Sequence, residues 1–316
     1  MEKQRTLKSS FSLEGKGLHT GVYTKITFHP APENHGYKIR RTDILGKPLI
    51  EALTENVVNT QRSTTLSNRG VRVSTVEHAL AALYGCEIDN CLIDIDGPEF
   101  PILDGSAKIY VANIKEAGIR FQNAEREYIR FNHKRIQVKD EETGSSLLLL
   151  PSDTFSIQVK IAFDSEILDM QYASLTNLTH FALETAPART FVFVKEIRLL
   201  VEKNLIKGGD LDNAIVIYDT PMSQDEFNKL AGLTGLKHKD ANNLGYIMNE
   251  PLQYINEPAR HKLLDVLGDL ALTGGFIKGT VIANCPGHTI NTRFAQLIRD
   301  KHLYEEQKKS VLKYVV

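Results

Sequence analysis

The stretch Ala259-Arg260-His261-Lys262-Leu263-Leu264-Asp265-Val266-Leu267-Gly268-Asp269-Leu270 carries two patterns at once. Leu263, Leu264, Val266, Leu267 and Leu270 form the apolar stripe of a helix, while His261, Asp265 and Asp269 recur at i, i+4 and i+8 along another face. The pattern predicts a helix over 258–272, then a strand over 277–283, a turn containing proline and a second helix over 291–301. An earlier segment follows the same plan. Ser74-Thr75-Val76-Glu77-His78-Ala79-Leu80 opens a helix in a capping-box pattern and Gly85 is placed to end it. A strand over 91–95 follows, and a loop carrying Gly97-Pro98 and Asp104-Gly105 leads to a helix over 106–117. In both places a histidine opens a helix, a glycine closes it, and strand, loop and helix succeed one another. This is the pattern of two copies of one α+β unit.

Outward from these segments, residues 5–13 and 22–28 alternate as strands around the glycine-rich turn Gly15-Lys16-Gly17-Leu18-His19-Thr20-Gly21. Residues 128–138, 146–150 and 155–163 read as strands of the second copy. We therefore expect an N-terminal β-α-α-β domain at 1–122, the polar run 122–127 as linker, a C-terminal domain of the same kind at 128–302, and a charged tail at 303–316. A mostly apolar segment at about 190–219, a helix followed by a strand, looks inserted into the second copy. Residues 223–257 read as mixed loop with a short helix.

The chain of 316 residues is 42% hydrophobic and 24% charged, enough apolar material for one large or two ordinary domains. Its 38 Lys and Arg against 39 Asp and Glu leave a net charge of −1. No global field therefore draws it to nucleic acid or an anionic membrane, and an anionic ligand needs locally placed cations. No apolar run approaches the roughly 18 to 20 residues of a membrane span, and the polar start lacks the core of a signal peptide. The expectation is a cytoplasmic protein with no membrane span and no nucleic-acid partner. The three cysteines, Cys86, Cys91 and Cys285, form no CxxC pair, which argues against a disulfide scaffold and a Cys-rich zinc site.

Ten histidines remain to be explained. His261 and Asp265, one turn apart, have the spacing that lets an imidazole and a carboxylate converge on one divalent ion; an ordinary solvated His-Asp pair is the competing reading. His78 is the candidate third ligand, with Glu77 beside it as a general base. Equally, Glu77 can complete the capping box with Ser74 and His78 can be a satisfied core histidine. His288 lies on the turn Cys285-Pro286-Gly287-His288, where a side chain can project into a cleft. Two His and one Asp would leave a coordination position open, as in catalytic rather than structural zinc sites. His288, kept protonated by a carboxylate such as Asp269, would then serve as general acid.

At these residues the chain resembles the UDP-3-O-acyl-N-acetylglucosamine deacetylases, zinc amidases of lipid A synthesis in Gram-negative bacteria. The resemblance runs from Gln4-Arg5-Thr6-Leu7 to about Lys301. It rests on Gly17-Leu18-His19-Thr20-Gly21, Arg40-Arg41-Thr42-Asp43, Ser74-Thr75-Val76-Glu77-His78, Ile102-Leu103-Asp104-Gly105-Ser106-Ala107, Ala188-Arg189-Thr190-Phe191, Arg260-His261-Lys262-Leu263-Leu264-Asp265 and Gly287-His288. It implies two layered β-α-α-β domains whose helices pack face to face, with the metal near their junction. It implies one Zn2+, or Fe2+ in its place, on His78, His261 and Asp265. By the same resemblance Glu77 is the general base, His288 the general acid and Asp269 its orienting partner. Thr190 would meet the oxyanion, Phe191 the sugar, and Lys262 the diphosphate or sugar, while Leu18 and His19 support the site from their turn.

The implied substrate is UDP-3-O-(3-hydroxyacyl)-N-acetylglucosamine. The apolar segment would then supply a dry passage for the acyl chain, drawn from Phe191, Val192, Phe193, Ile197, Leu200, Ile215, Val216 and Ile217; ordinary core packing accounts for most of these. The loop Thr60-Gln61-Arg62-Ser63-Thr64-Thr65 departs from the family in being polar. Some bacteria fuse this deacetylase to a 3-hydroxyacyl-carrier-protein dehydratase, so the chain could be the first half of such a fusion. Two rival readings stand beside this one: a non-haem Fe(II) oxygenase, since two His and one carboxylate also make a facial triad, and a non-enzymatic RNA-binding or scaffold module.

Overall fold

The computed structural model describes residues 2–202, 206–234 and 240–313. The first half runs β1 (Lys3–Leu7), β2 (Phe11–Lys16), β3 (Tyr23–Pro30), β4 (Tyr37–Arg41), β5 (Leu49–Glu51), β6 (Val57–Asn59), β7 (Thr65–Asn68), β8 (Val71–Val73), α1 (Glu77–Gly85), β9 (Cys91–Ile95), α2 (Lys108–Ala117) and β10 (Ile119–Glu125). Its main sheet has the order β2-β3-β9-β4-β5, antiparallel except where β4 and β9 run parallel. Cys91, Ile93 and Ile95 bury one face of β9 while Leu92 and Asp94 sit on the other, the period of two that a one-sided sheet requires.

The second half runs β11 (Tyr128–Ile129), β12 (Ile136–Lys139), β13 (Ser146–Leu150), β14 (Phe155–Ile161), β15 (Gln171–Leu175), α3 (Phe181–Glu184), β16 (Phe191–Phe193), α4 (Val194–Glu202), β17 (Ile215–Tyr218), α5 (Gln224–Thr234), β18 (Gly245–Ile247), α6 (Glu257–Ala271), β19 (Phe276–Ile277), β20 (Gly279–Asn284) and α7 (His288–Lys313). Its main sheet, β12-β13-β20-β14-β15, is again antiparallel except for the parallel pair β14 and β20. The two sheets share one topology, in which the strand after the long helix enters the middle of the sheet. The fold is the expected α+β pair of similar layered units, and α1 packs face to face with α6 between them.

That helix contact is unusually close. All of Glu77–Gly85 is buried, and a Cβ on Gly268 would come within 2.1 Å of the Glu77 carbonyl oxygen. Glycine is thus required where α6 meets the first turn of α1. A second tie between the halves is Arg126, buried at the junction of β10 and β11. It reaches Asp89 at 2.7 Å and Glu87 at 3.1 Å, while its guanidinium lies 4.2 Å from the centroid of the Phe276 ring.

The apolar insertion forms its own three-stranded sheet, β16-β17-β18. Phe193, Ile215 and Ile217 face the main core, whereas Val216, Ile197, Tyr218 and Phe227 close a second cluster. Phe193, Ile197, Leu200, Ile215, Val216 and Ile217 are all buried against protein, and only Phe191 and Val192 among the proposed lining residues stay half exposed.

Several local expectations are corrected. The strand expected over 5–13 is two: β1 ends at Leu7 and pairs with β10 outside the main sheet, which the chain enters only at β2. Likewise 128–138 divides into β11, which pairs with β19, and β12. Residues 122–125 belong to β10, an exposed ribbon strand without the apolar alternation that would have betrayed it. α7 continues past Lys301 to Lys313, through most of the segment read as a charged tail. The capping box does not form. Val76 is the cap without a side-chain bond, the Ser74 hydroxyl donates to the Pro98 carbonyl at 3.3 Å, and the Glu77 carboxylate is engaged elsewhere.

The Gly268 contact yields a test. Gly268→Ala should destabilise the protein by about 1–3 kcal/mol, the usual cost of overpacking, seen as a lowered midpoint in thermal unfolding. An unchanged midpoint would mean that α1 can back away from α6 freely.

Candidate metal centre

The close approach of α1 and α6 brings the start of one helix beside the middle of the other. His78, His261 and Asp265 are all buried, and their ligand atoms lie within 4.8 Å of one another. His261 Nε2 is 3.4 Å and His78 Nε2 3.8 Å from Asp265 Oδ1, while the two imidazole rings meet edge to face with centroids 5.0 Å apart. Among the described residues Asp265 Oδ1 is buried without a hydrogen-bond partner, a costly arrangement for a charged acceptor unless a cation completes it.

The protonation states suit a cation. Burial, reinforced by the neighbouring His261, pushes His78 down to about 3, and burial also lowers His261; both rings are neutral and offer lone pairs. His261 Nδ1 donates to the Ala188 carbonyl at 3.0 Å, which leaves Nε2 as the acceptor aimed at the cluster. Burial opposes ionisation of Asp265, but the charge of Lys262, with that of His288 behind it, outweighs burial and holds the carboxyl below its ordinary range. Lys262 Nζ donates to Asp265 Oδ2 at 2.9 Å, so Oδ1 is the oxygen left for a metal. Two neutral imidazoles and one carboxylate oxygen, converging and otherwise unpartnered, fit a divalent ion with an open coordination position.

A second cluster abuts the first. His288 Nδ1 donates to Asp269 Oδ2 at 2.9 Å, and its Nε2 lies 3.8 Å from Glu77 Oε1. Burial works against a charge on His288, yet the charge and hydrogen bond of Asp269, with Glu77 next, raise it to about 9. Burial pushes Glu77 up to about 7, with the charge of His288 opposing and those of Asp269 and Asp265 adding to the rise. Asp269 is itself held by Asn291 Nδ2 at 2.9 Å and the Thr64 hydroxyl at 2.6 Å, and Thr64 N–H donates to Glu77 Oε2 at 3.1 Å.

Glu77, His78, His261, Asp265, Asp269 and His288 thus stand in one buried cluster. Phe191 lies beside it, its ring centroid 6.4 Å from that of His261 and 5.5 Å from Lys262 Nζ. Thr190, one residue before, is tied by its backbone N–H to the Gly105 carbonyl at 2.8 Å. His19 is near enough for His288 and Arg62 to act on it electrostatically, and burial lowers its pKa; Leu18 precedes it on the same turn. Sequence reasoning missed Thr64 and Asn291. Asn291 is one turn from His288 on α7 and could have been found by that spacing, but Thr64 comes from a distant loop that carries no periodicity. It also missed Arg189 and Glu257, whose buried pair, at 2.8 Å, fixes the segment holding the Ala188 carbonyl.

The native chain should bind one divalent ion, and His261→Ala should lose most of that affinity, by 10-fold or more in order of magnitude. Metal analysis after dialysis measures this; normal metal content in the variant would place the ligands elsewhere.

The profile of the UDP-3-O-acyl N-acetylglycosamine deacetylase family matches residues 4–231 and 241–300. A protein named UDP-3-O-acyl-N-acetylglucosamine deacetylase from Teredinibacter turnerae is 39% identical over 297 residues, 93% of this chain and 89% of its own length. Two proteins named bifunctional enzyme LpxC/FabZ are more similar. That of Porphyromonas gingivalis is 57% identical over 95% of this chain and 64% of its own length, and that of Bacteroides thetaiotaomicron 55% identical over 97% and 67%. The chain spans about two thirds of the length of these bifunctional relatives. On the match across nearly its whole length, this chain belongs to the UDP-3-O-acyl N-acetylglycosamine deacetylase family.

Proposed function

We propose that this chain hydrolyses the acetamide of UDP-3-O-(3-hydroxyacyl)-N-acetylglucosamine to the free 2-amine and acetate, the committed step of lipid A biosynthesis. The observation that carries the reading is the union of two sets: two neutral imidazoles with a carboxylate oxygen unpartnered among the described residues, and a Glu77–His288–Asp269 chain with separations of 3.8 Å and 2.9 Å. The donors suit zinc, with iron(II) as the alternative. His78, His261 and Asp265 would hold the ion, which when bound polarises water and lowers its pKa from about 16 toward about 7.

The residues of the chain then divide the proton work. Glu77, with Oε2 occupied by the Thr64 N–H, presents Oε1 to take the proton of the attacking water. As the amide carbon becomes tetrahedral, negative charge collects on its oxygen, and protonated His288 stabilises it across a buried, water-poor space. When the C–N bond breaks, the leaving amine needs a proton, which His288 Nε2 supplies. Asp269 holds the other nitrogen and so keeps Nε2 the donor. The Thr190 hydroxyl is a further donor for the oxyanion, and Phe191 offers a flat wall for the sugar. Lys262 has three N–H donors and can serve Asp265 and a diphosphate oxygen together. Leu18 and His19 bound the site from their turn, and the insertion takes the acyl chain along the half-exposed Phe191 and Val192. Such a reaction on a nucleotide sugar belongs in the cytoplasm, in keeping with described helices none of which is long and apolar enough to cross a membrane. The length of the bifunctional relatives supports a native fusion to a 3-hydroxyacyl-carrier-protein dehydratase.

The direct test is release of acetate from this substrate before and after metal removal by a chelator, with activity returning on addition of zinc; activity indifferent to the chelator would refute the metal's role. Glu77→Gln should lower kcat by about 10²–10⁴ while metal stays bound. Its retention of full turnover would remove the general base. Because His288 must carry its proton, kcat/KM should fall as pH rises through its pKa. Asp269→Asn removes the charge that raises this pKa, so the alkaline limb should move to lower pH by on the order of one unit. An unmoved limb would separate His288 from the alkaline titration.

A further inference from the structure

Glu99 is fully buried outside the catalytic cluster, and its carboxylate is saturated by neutral donors from two distant segments. Oε1 accepts from His19 N–H and from the Thr75 hydroxyl, each at 2.9 Å. Oε2 accepts from Thr20 N–H at 2.8 Å and the Thr20 hydroxyl at 2.7 Å. Thr75 is held in the left-handed region, at a φ of 58°, a strained conformation for a β-branched residue that needs outside support. Two residues later the chain enters α1 at Glu77 and His78.

The other segment that Glu99 holds is the turn 17–21, against which the insertion docks through its backbone. Gly208 N–H donates to the Leu18 carbonyl at 3.1 Å and Lys207 N–H to the His19 carbonyl at 3.4 Å. Contact is close on both sides of the turn. A Cβ on Gly17 would lie 2.3 Å from Glu99 Oε2, and one on Gly208 would lie 2.3 Å from the Gly17 carbonyl oxygen. One carboxylate therefore links the insertion, through this turn, to the strained residue that aims the first turn of α1.

We propose that Glu99 is a positioning residue that couples the apolar insertion to the start of α1, so that binding of the substrate's acyl chain raises turnover rather than affinity alone. The coupling is the transfer of remote binding energy to the reacting centre. It rests on the deacetylase reading and on an acyl chain seated along the insertion. In Glu99→Gln one oxygen becomes an NH₂ group that cannot accept a hydrogen bond, so whichever oxygen is replaced a backbone N–H of the turn, that of His19 or of Thr20, loses its acceptor and the link between turn and carboxylate breaks.

The test compares a substrate with a long 3-O-hydroxyacyl chain with one bearing a four-carbon chain, using the metal-loaded full chain. Glu99→Gln should lower kcat on the long-chain substrate by on the order of 10-fold or more, with the short-chain kcat, KM and metal content within about twofold of native. Thr75→Ala should reproduce this split and Thr75→Ser should restore native behaviour, which keeps the test decisive if Glu99→Gln does not fold. Equal proportional losses on the two substrates, a change in KM alone, or no loss would overturn the coupling. A native chain that deacetylates neither substrate would fall on the deacetylase reading, whereas equal losses in an active enzyme fall on Glu99 alone.

Discussion

The contact of α1 with α6 is the constraint on which the rest of this molecule depends. Each helix belongs to a different copy of the fold, and each carries an incomplete site: His78 and Glu77 on one, His261, Asp265 and Asp269 on the other. Only at the spacing that Gly268 permits does the backbone of Glu77 reach α6, and only then do the side chains of the two helices share one small volume. The shape of the protein follows from burying that contact. Two sheets of identical strand order cover the helix layer from either side, and Arg126 pins the junction where the chain passes from one copy to the other.

Burial in that layer gives the site its electrostatics. In water the same histidines and carboxylates would titrate near their ordinary values. Away from water, charge survives only where a partner stabilises it. His78 has Asp265 Oδ1 at 3.8 Å, but burial and the neighbouring His261 prevail and the ring is neutral; His288, hydrogen-bonded to Asp269, is protonated. Two histidines of one buried cluster are thereby held in opposite protonation states, one neutral with a lone pair to offer and the other carrying a proton. Glu77 stands between, its Oε2 held by the Thr64 backbone and its Oε1 facing His288.

Much of this was legible in the residue order. The i, i+4, i+8 spacing of His261, Asp265 and Asp269 needs only helical geometry to put them on one face, and the repeated succession of histidine, glycine and strand exposed the duplication before any strand was paired. The capping box misled because a local rule assumes a helix end facing solvent. Here the end is buried, and Glu77 and Ser74 find partners from other segments. β10 and the tail of α7 were hidden for the opposite reason: exposed elements carry little apolar periodicity, and their strand or helix is set by a neighbour or by continuation of a preceding turn.

By itself the sequence determined the elements with a strong buried period, the twofold plan, and the residues whose chemistry is local to one helix. Tertiary structure decided what those residues meet. Thr64, Asn291, the Ala188 carbonyl and Glu99 act across separations of tens to hundreds of residues. No periodicity encodes such pairs, because each partner's backbone conformation is fixed by its own neighbourhood. The residue order nominated His78 and His261 as ligands and His288 as acid, but their protonation depends on which charges burial leaves beside each ring.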